Sequence, residues 1–392
     1  MKIIISANAA WNLVNFRSNL IKSLIIMGHE VYAVSPEDEN SLTLIKLGCQ
    51  FISIDIDNNG VDPFKDFQLL LTYYKLFRKI RPHVYLGFTI KPNIYGSLAA
   101  QLFKIPSINN VSGLGTAFII ETWVTKCVQI LYKLAFRGSH CIIFQNPEDR
   151  DLFINRQIIC INNKSLNPSV QLVPGSGVDL NYFCLHSKNF LIKSEFNFCS
   201  SLHTTYTTKR ETDFIFLFIG RVIKDKGVVE FVEAAKIIKQ KLLNVRFLIL
   251  GFLDAKNSSA ISRIVMDNWV EEGLIEYLGE VSDVRDAIVF SDCVVLPSYR
   301  EGTPRALLEA AAMERPLIAT NVPGCREVIE DGVNGYLCRS QDALDLSLKM
   351  LNMIALKSSD REKMGRNGRQ KIEREFDEQI VINKYRDLIG LI

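Results

Sequence analysis

Residues 293–318 read CVVLPSYREGTPRALLEAAAMERPLI. The run from Cys293 to Leu296 predicts a strand, because β-branched residues favour a pleated, buried surface. Pro304 suits the first position of a helix, where its missing N–H would have no partner, and Thr303 can supply the N-cap oxygen. A helix opening of this kind presents backbone N–H groups and the positive end of the macrodipole, both of which favour a bound phosphate. Glu301 stays in the loop, whereas Glu309 is placed a turn and a half along the helix, roughly 7–9 Å further on at 1.5 Å per residue. Two carboxylates so spaced can take hydroxyls of two different sugar rings. Taken alone, the same pair reads more readily as two solvated acids on a surface helix, so the neighbouring sequence decides.

That neighbouring sequence repeats the pattern. FIFLFIG (214–220) is a β-forming run that ends at Gly220; Arg221 follows, then Lys224-Asp225-Lys226-Gly227 and a helical stretch. A strand, a glycine turn with bases and a helix opening make a second anion site at a strand's carboxyl end, where open parallel sheets bind ligands. Further strands are predicted at 245–251, 275–279, 293–297 and 316–320, alternating with helical segments, which implies a parallel doubly wound sheet. NVPGCREVIEDGVNGYLC (321–338) adds Gly324 at a strand end, a short helix and a turn into another strand.

Taken together, Gly220-Arg221, Lys226-Gly227, Pro297-Ser298, Glu301-Gly302, Pro304, Glu309-Ala310, Pro316, Pro323-Gly324, Glu327 and Asn334-Gly335 resemble the nucleotide-sugar-binding half of the family 4 retaining glycosyltransferases of GT-B fold. The resemblance spans about 160 residues in register. It implies that Arg221 and Lys226 contact the donor diphosphate and that Glu301, with Gly302 and Thr303, holds the donor sugar and phosphates. Glu309 would bind ribose, and Gly220 and Pro304 complete the donor-binding turns. Arg221, Lys226 and Glu301 are thus the expected catalytic set.

The N-terminal half fits the same family more loosely. KIIISA (2–7) is a strand, Asn8 to Asn15 a loop, and Phe16 to Met27 an amphipathic helix. The loop lacks G-x-G-x-x-G, which disfavours a nicotinamide-binding unit. It offers Trp11, Asn12, Asn15 and Arg17 at a strand's carboxyl end, and in the resembled family this loop faces the acceptor. In residues 85–118, Lys91, Pro92 and Asn93 fall in one loop and Ser112-Gly113-Leu114-Gly115 in another. This pattern is similar to enzymes of O-antigen, capsule and protein-glycan assembly that add an N-acetylhexosamine to a saccharide on undecaprenyl diphosphate. Lys91, Asn93, Ser112 and Gly113 therefore join the expected acceptor-binding residues. Many members of the family carry a His near positions 109–112. This chain has Asn109, Asn110, Val111 and Ser112, so no role of that His carries over.

With 392 residues, 48% of them apolar, the chain exceeds one domain's core. The net charge is +3, and residues 1–182 hold 17 Lys and Arg against 13 Asp and Glu. The apolar, basic stretch 67–82 reads as a core helix. The stretch 118–138, with Trp123, Lys126, Lys133 and Arg137, can instead lie on an anionic bilayer. Neither holds 18 uncharged apolar residues, so no spanning helix is expected. MKIIISA is a core strand rather than a leader. Nine cysteines without C-x-x-C spacing and five histidines without an H-x3-H pair imply reduced thiols in a cytosolic setting and no metal cluster. His29, His83 and His140 flank strands and read as structural.

The expected architecture is α/β GT-B: two Rossmann-like doubly wound lobes facing across a cleft. Residues 1–175 form an acceptor-binding lobe, 176–212 a hinge and linker, 213–375 a nucleotide-sugar-binding lobe, and 376–392 a helix that crosses back to the first lobe. Ile380, Ile382, Tyr385, Leu388 and Ile389 form that helix's apolar face. The expected activity is metal-independent, retaining transfer of N-acetylgalactosamine or N-acetylglucosamine from a UDP-sugar to a lipid-linked saccharide, without a cofactor. The expected partners are the nucleotide sugar, the lipid-linked acceptor and the inner membrane surface, to which the cytoplasmic protein is peripheral; no nucleic acid is implied. The alternatives are a non-catalytic nucleotide-sugar-binding subunit and a sugar-nucleotide epimerase of the same fold.

Overall fold

The apolar runs of both halves become central strands of two separate parallel sheets in a computed structural model. It describes residues 1–57, 62–113, 123–159, 168–185, 195–199, 204–253, 257 and 259–392. The chain divides into one unit of Met1–Ser176 with Gln379–Ile392 and another of Gly177–Glu378.

In the first unit the strands are β1 (Lys2–Ser6), β2 (Glu30–Ser35), β3 (Gln50–Ser53), β4 (Val84–Phe88), β5 (Ser107–Val111), β6 (Cys141–Phe144) and β7 (Ser169–Leu172). They lie in the order β3-β2-β1-β4-β5-β6-β7. Helix Pro63–Ile80 buries Leu69, Tyr73 and Phe77 against one face of this sheet, beside Ile4, Tyr85 and Ile142. Helix Ala10–Ile26 and the last helix, Glu378–Gly390, pack in the cluster on Ile3, Ile5, Leu86 and Ile143. Coverage on both faces explains why these strands read as continuous apolar runs rather than alternating ones.

A two-stranded antiparallel ribbon, β8 (Glu195–Cys199) with β9 (Thr204–Thr208), precedes the second sheet. That sheet contains β10 (Phe214–Ile219), β11 (Val245–Leu250), β12 (Glu276–Gly279), β13 (Cys293–Leu296), β14 (Leu317–Thr320) and β15 (Gly335–Cys338), ordered β12-β11-β10-β13-β14-β15. Strand order reverses between β1 and β4 in one unit and between β10 and β13 in the other. These are the switch points at which open α/β sheets bind ligands.

Three expectations change. Residues 177–185 and the ribbon belong to the second unit, and the stretch is not a free linker: Val178 and Phe183 are buried, and the Phe183 carbonyl accepts from Arg369 at 2.7 Å. The first helix begins at Ala10, so Trp11, Asn12 and Asn15 are helical rather than in a loop, and Arg17 is helical as expected. On the last helix Val381 is buried in place of Ile380, which is exposed.

Candidate functional site

The loops that follow β10 and β13 are locked together at the switch point of the second unit. After β10 the chain makes one 3-10 turn, Lys224–Lys226, and reaches Gly227 at φ +74° before helix Val228–Lys239. A Cβ on Gly227 would lie 1.9 Å from the Pro297 carbonyl oxygen, so only glycine lets the two loops approach this closely. The Tyr299 amide donates to the Asp225 carbonyl at 2.9 Å and the Tyr299 hydroxyl to Glu230 at 2.7 Å, adding two further ties. A third segment closes on the same place. Gly324, at φ +85°, lies where a Cβ would be 2.5 Å from the Gly302 carbonyl oxygen, and the Glu301 amide donates to the Pro323 carbonyl.

Within this frame Lys226 Nζ pairs directly with Glu301 Oε1, and Ser298 Oγ donates to the same oxygen at 2.6 Å. Thr320 Oγ1 in turn holds the Ser298 carbonyl. The Lys226 and Glu301 side chains are only 22% and 10% exposed, which strengthens their attraction relative to a solvated pair. Arg221 is exposed at the end of β10.

The helix that follows is Arg305–Ala312, with Pro304 at the N-cap and no side-chain cap bond. This corrects the expected placement of Pro304 at the first helical position with Thr303 as cap: at ψ +110° Pro304 is still extended. Glu309 is consequently one turn along, not a turn and a half. It is 9% exposed and accepts from Arg305 Nε at 2.6 Å, an i, i+4 pair. Burial pushes its carboxyl above the ordinary glutamate range, against the pull of Arg305, and nearby Asp283 adds to the rise.

Asp283 belongs to a group that sequence reasoning missed. It forms a bidentate pair with Arg285, whose guanidinium stacks 3.7 Å from the Tyr182 ring centroid and donates to the Tyr182 carbonyl. The only local signal was the D-x-R spacing. Ser298 stood in the quoted motif without a role, and its grip on Glu301 supplies one.

In the first unit the expected acceptor residues follow β1, β4 and β5, all at one sheet edge. Trp11 is 43% exposed, with its amide on Asp38; Asn12 bonds to Asn8, and Asn15 to the Trp11 carbonyl. Arg17 points inward, 5% exposed, with its guanidinium 4.3 Å from the Phe88 ring centroid. Lys91 is spent on Asp66 at 2.7 Å. Asn93 is 1% exposed on a π-turn, Pro92–Gly96, and donates to the Asn110 carbonyl at 2.8 Å. Arg17 and Asn93 are thus both shielded from solvent beneath the exposed Trp11 and Ser112. Ser112 is exposed and Gly113 has φ +113°. Leu114 and Gly115 lie outside the described residues.

Among the described residues no group of three or more His, Cys, Asp or Glu is placed to hold a metal ion. Nor is any helix among them long and apolar enough to cross a membrane.

Residues 2–146 match the family description "Glycosyl transferase 4-like", and residues 205–371 match "Glycosyl transferases group 1". A Campylobacter jejuni protein named N,N'-diacetylbacillosaminyl-diphospho-undecaprenol alpha-1,3-N-acetylgalactosaminyltransferase is 28% identical over 394 aligned positions, covering 98% of this chain and 97% of that protein. An Escherichia coli UDP-Gal:alpha-D-GlcNAc-diphosphoundecaprenol alpha-1,3-galactosyltransferase is 28% identical, covering 84% of this chain and 80% of its own. Among solved structures, sucrose-phosphate synthase from Thermosynechococcus elongatus superposes over 100% of both chains with a TM-score of 0.77 at 18% identity, which establishes the two-lobed α/β fold. With one lobe matching each description and near full-length relatives of the same kind, the chain belongs to the glycosyltransferases.

Proposed function

We propose that the protein moves N-acetylgalactosamine or N-acetylglucosamine from UDP to a saccharide carried on undecaprenyl diphosphate, with retention of anomeric configuration. The observation that carries this reading is the convergence, at one switch point, of the Lys226–Glu301 pair, the start of helix Arg305–Ala312 and the buried Glu309. Lys226, Arg221 and the helix N-terminus supply positive charge where a diphosphate would leave, a contribution worth several kcal/mol per well-placed group. Glu301 serves the hydroxyls of the transferred hexose, and Glu309 those of the ribose. No cofactor enters this scheme, since side-chain cations and backbone dipoles carry the diphosphate charge.

Retention follows front-face attack. The bond from the anomeric carbon to the diphosphate oxygen breaks while the acceptor oxygen bonds to the same face, and the departing phosphate takes the acceptor proton. Support for the acceptor comes from the two bacterial relatives, whose names place a diphospho-undecaprenol sugar on the accepting side.

An acceptor of that kind lies in a bilayer, and one helix of the first unit is suited to reach it. Helix Trp123–Phe136 buries Thr125, Tyr132, Ala135 and Phe136 and exposes Trp123, Ile130 and Leu134 together with Lys126 and Lys133, with Arg137 just beyond. It carries no acidic residue. Helix Pro63–Ile80 is a core helix on its buried side, yet it also exposes Phe64, Phe67 and Leu71 ahead of Lys75, Arg78 and Lys79. Such faces suit peripheral binding at an anionic inner membrane surface. Proton NMR of the purified product tests the stereochemistry: the new linkage carries the α coupling of the donor, and a β coupling would refute front-face transfer.

A further inference from the structure

Asn110 is the point on which four separate segments of the first unit converge. It is fully buried at the end of β5. Its Nδ2 donates to the Tyr385 hydroxyl at 2.9 Å. Its Oδ1 accepts from Ser112 Oγ at 3.0 Å and from Gln145 Nε2 at 3.3 Å, and its carbonyl accepts from Asn93 Nδ2 at 2.8 Å. Tyr385 stands 275 residues away in sequence, on the last helix, and is itself fully buried beside Phe88, whose ring Arg17 covers.

The Tyr385 and Ser112 hydroxyls are thus bonded to opposite ends of one buried amide, with Gln145 on the same oxygen as Ser112. Removing the Tyr385 hydroxyl would leave the Nδ2 end of that amide buried without this partner, and the other end of the same amide holds Ser112 at the exposed rim. Ser112 and Gly113 begin the segment at which the acceptor is expected.

We propose that Tyr385 is a positioning residue for acceptor binding: through Asn110 it sets the conformation of Ser112 and Gly113. This rests on the reading of the first unit as the acceptor-binding lobe. The last helix then does more than cover the sheet. The chain re-enters the first unit at Gln379, and two residues earlier Asp377 pairs with Val178.

Tyr385→Phe removes the hydroxyl and keeps the ring against Phe88. The KM for the lipid-linked acceptor rises about five- to tenfold, the scale of one lost hydrogen bond, while kcat and the KM for the UDP-sugar stay within twofold. Ser112→Ala, at an exposed position that any fold tolerates, reproduces the acceptor effect, and the double variant is no worse than the stronger single one. Amide hydrogen exchange reads the same tie without turnover: exchange at residues 110–113 quickens in Tyr385→Phe, and exchange at 298–305 does not. Additive effects of the two substitutions, a parallel rise in donor KM, or unchanged exchange at 110–113 would each overturn the proposal. If the parent protein transfers no sugar, the proposed function fails, and the exchange result still decides whether Tyr385 governs the rim.

Discussion

Glu309→Gln separates binding from folding more sharply than any other single change in the donor site. The carboxylate is 9% exposed, with one oxygen held by Arg305 at 2.6 Å. If it accepts ribose hydroxyls, the amide loses charge assistance worth about 1.5–3 kcal/mol, which is on the order of 10- to 100-fold in Kd for a UDP-sugar. Stability should move the other way or not at all. Burial raises the folded carboxyl's pKa above its unfolded value, so folding disfavours the charged form. An ionised Glu309 is then a cost that is fully present above the folded pKa and disappears as pH falls through it towards the unfolded pKa. A neutral Gln removes that cost, and Arg305, which is partly exposed, can be hydrated in its place. The variant's Tm at neutral pH is expected to be at least that of the parent. In the parent, donor affinity should weaken as pH falls through the raised carboxyl pKa, earlier than for an ordinary glutamate, and in the variant that dependence should vanish. Titration calorimetry and thermal denaturation on the same samples decide the matter. Unchanged donor affinity, or a loss of affinity that only tracks a fall in Tm, would refute the assignment.

The remaining predictions address the other loops and the membrane face. Lys226→Ala should lower turnover by at least ~100-fold with a smaller change in donor affinity, because its charge matters most as the diphosphate departs; a small and equal loss in both would make it a surface lysine. Gly227→Ala should lower the denaturation midpoint, since a methyl group 1.9 Å from the Pro297 carbonyl at φ +74° forces the two loops apart at a cost of at least ~1–3 kcal/mol. An unchanged midpoint would mean that the loops are not locked. The protein should sediment with anionic liposomes and be partly released by salt, and replacing Lys126, Lys133 and Arg137 with Gln should mimic the salt without weakening UDP binding. Full sedimentation of that triple variant would remove the charge argument.

The features legible in the sequence were those with local causes. Strands such as FIFLFI and CVVL are continuous apolar runs because helices cover both sheet faces, and that pattern survives in one dimension. Gly227 and Gly324 announced tight turns because positive φ excludes other residues. Helix boundaries were less legible. The helix from Ala10 opens with no side-chain cap, so nothing in the sequence marks its start. Pro304 is compatible with two neighbouring positions, and the structure uses the extended one. Glu195–Cys199 and Thr204–Thr208 fall in the stretch read as hinge and linker, and they pair as an antiparallel ribbon. What could not be read at all was pairing across long separations. Arg285 on Tyr182, 103 residues apart, and Asn110 on Tyr385 exist only once the sheets bring distant segments together. Nor does composition reveal that Arg17 turns inward under Phe88.

Sugar transfer itself is best followed by incubating the purified protein with radiolabelled UDP-GalNAc or UDP-GlcNAc and a synthetic polyprenyl-diphosphate saccharide in detergent or vesicles. Label should pass into the organic phase with one of the two donors, in amounts that depend on both substrates and fall at least ~100-fold with Lys226→Ala. Label that stays in the aqueous phase as nucleotide sugar or free hexosamine, with every acceptor supplied, would contradict the account.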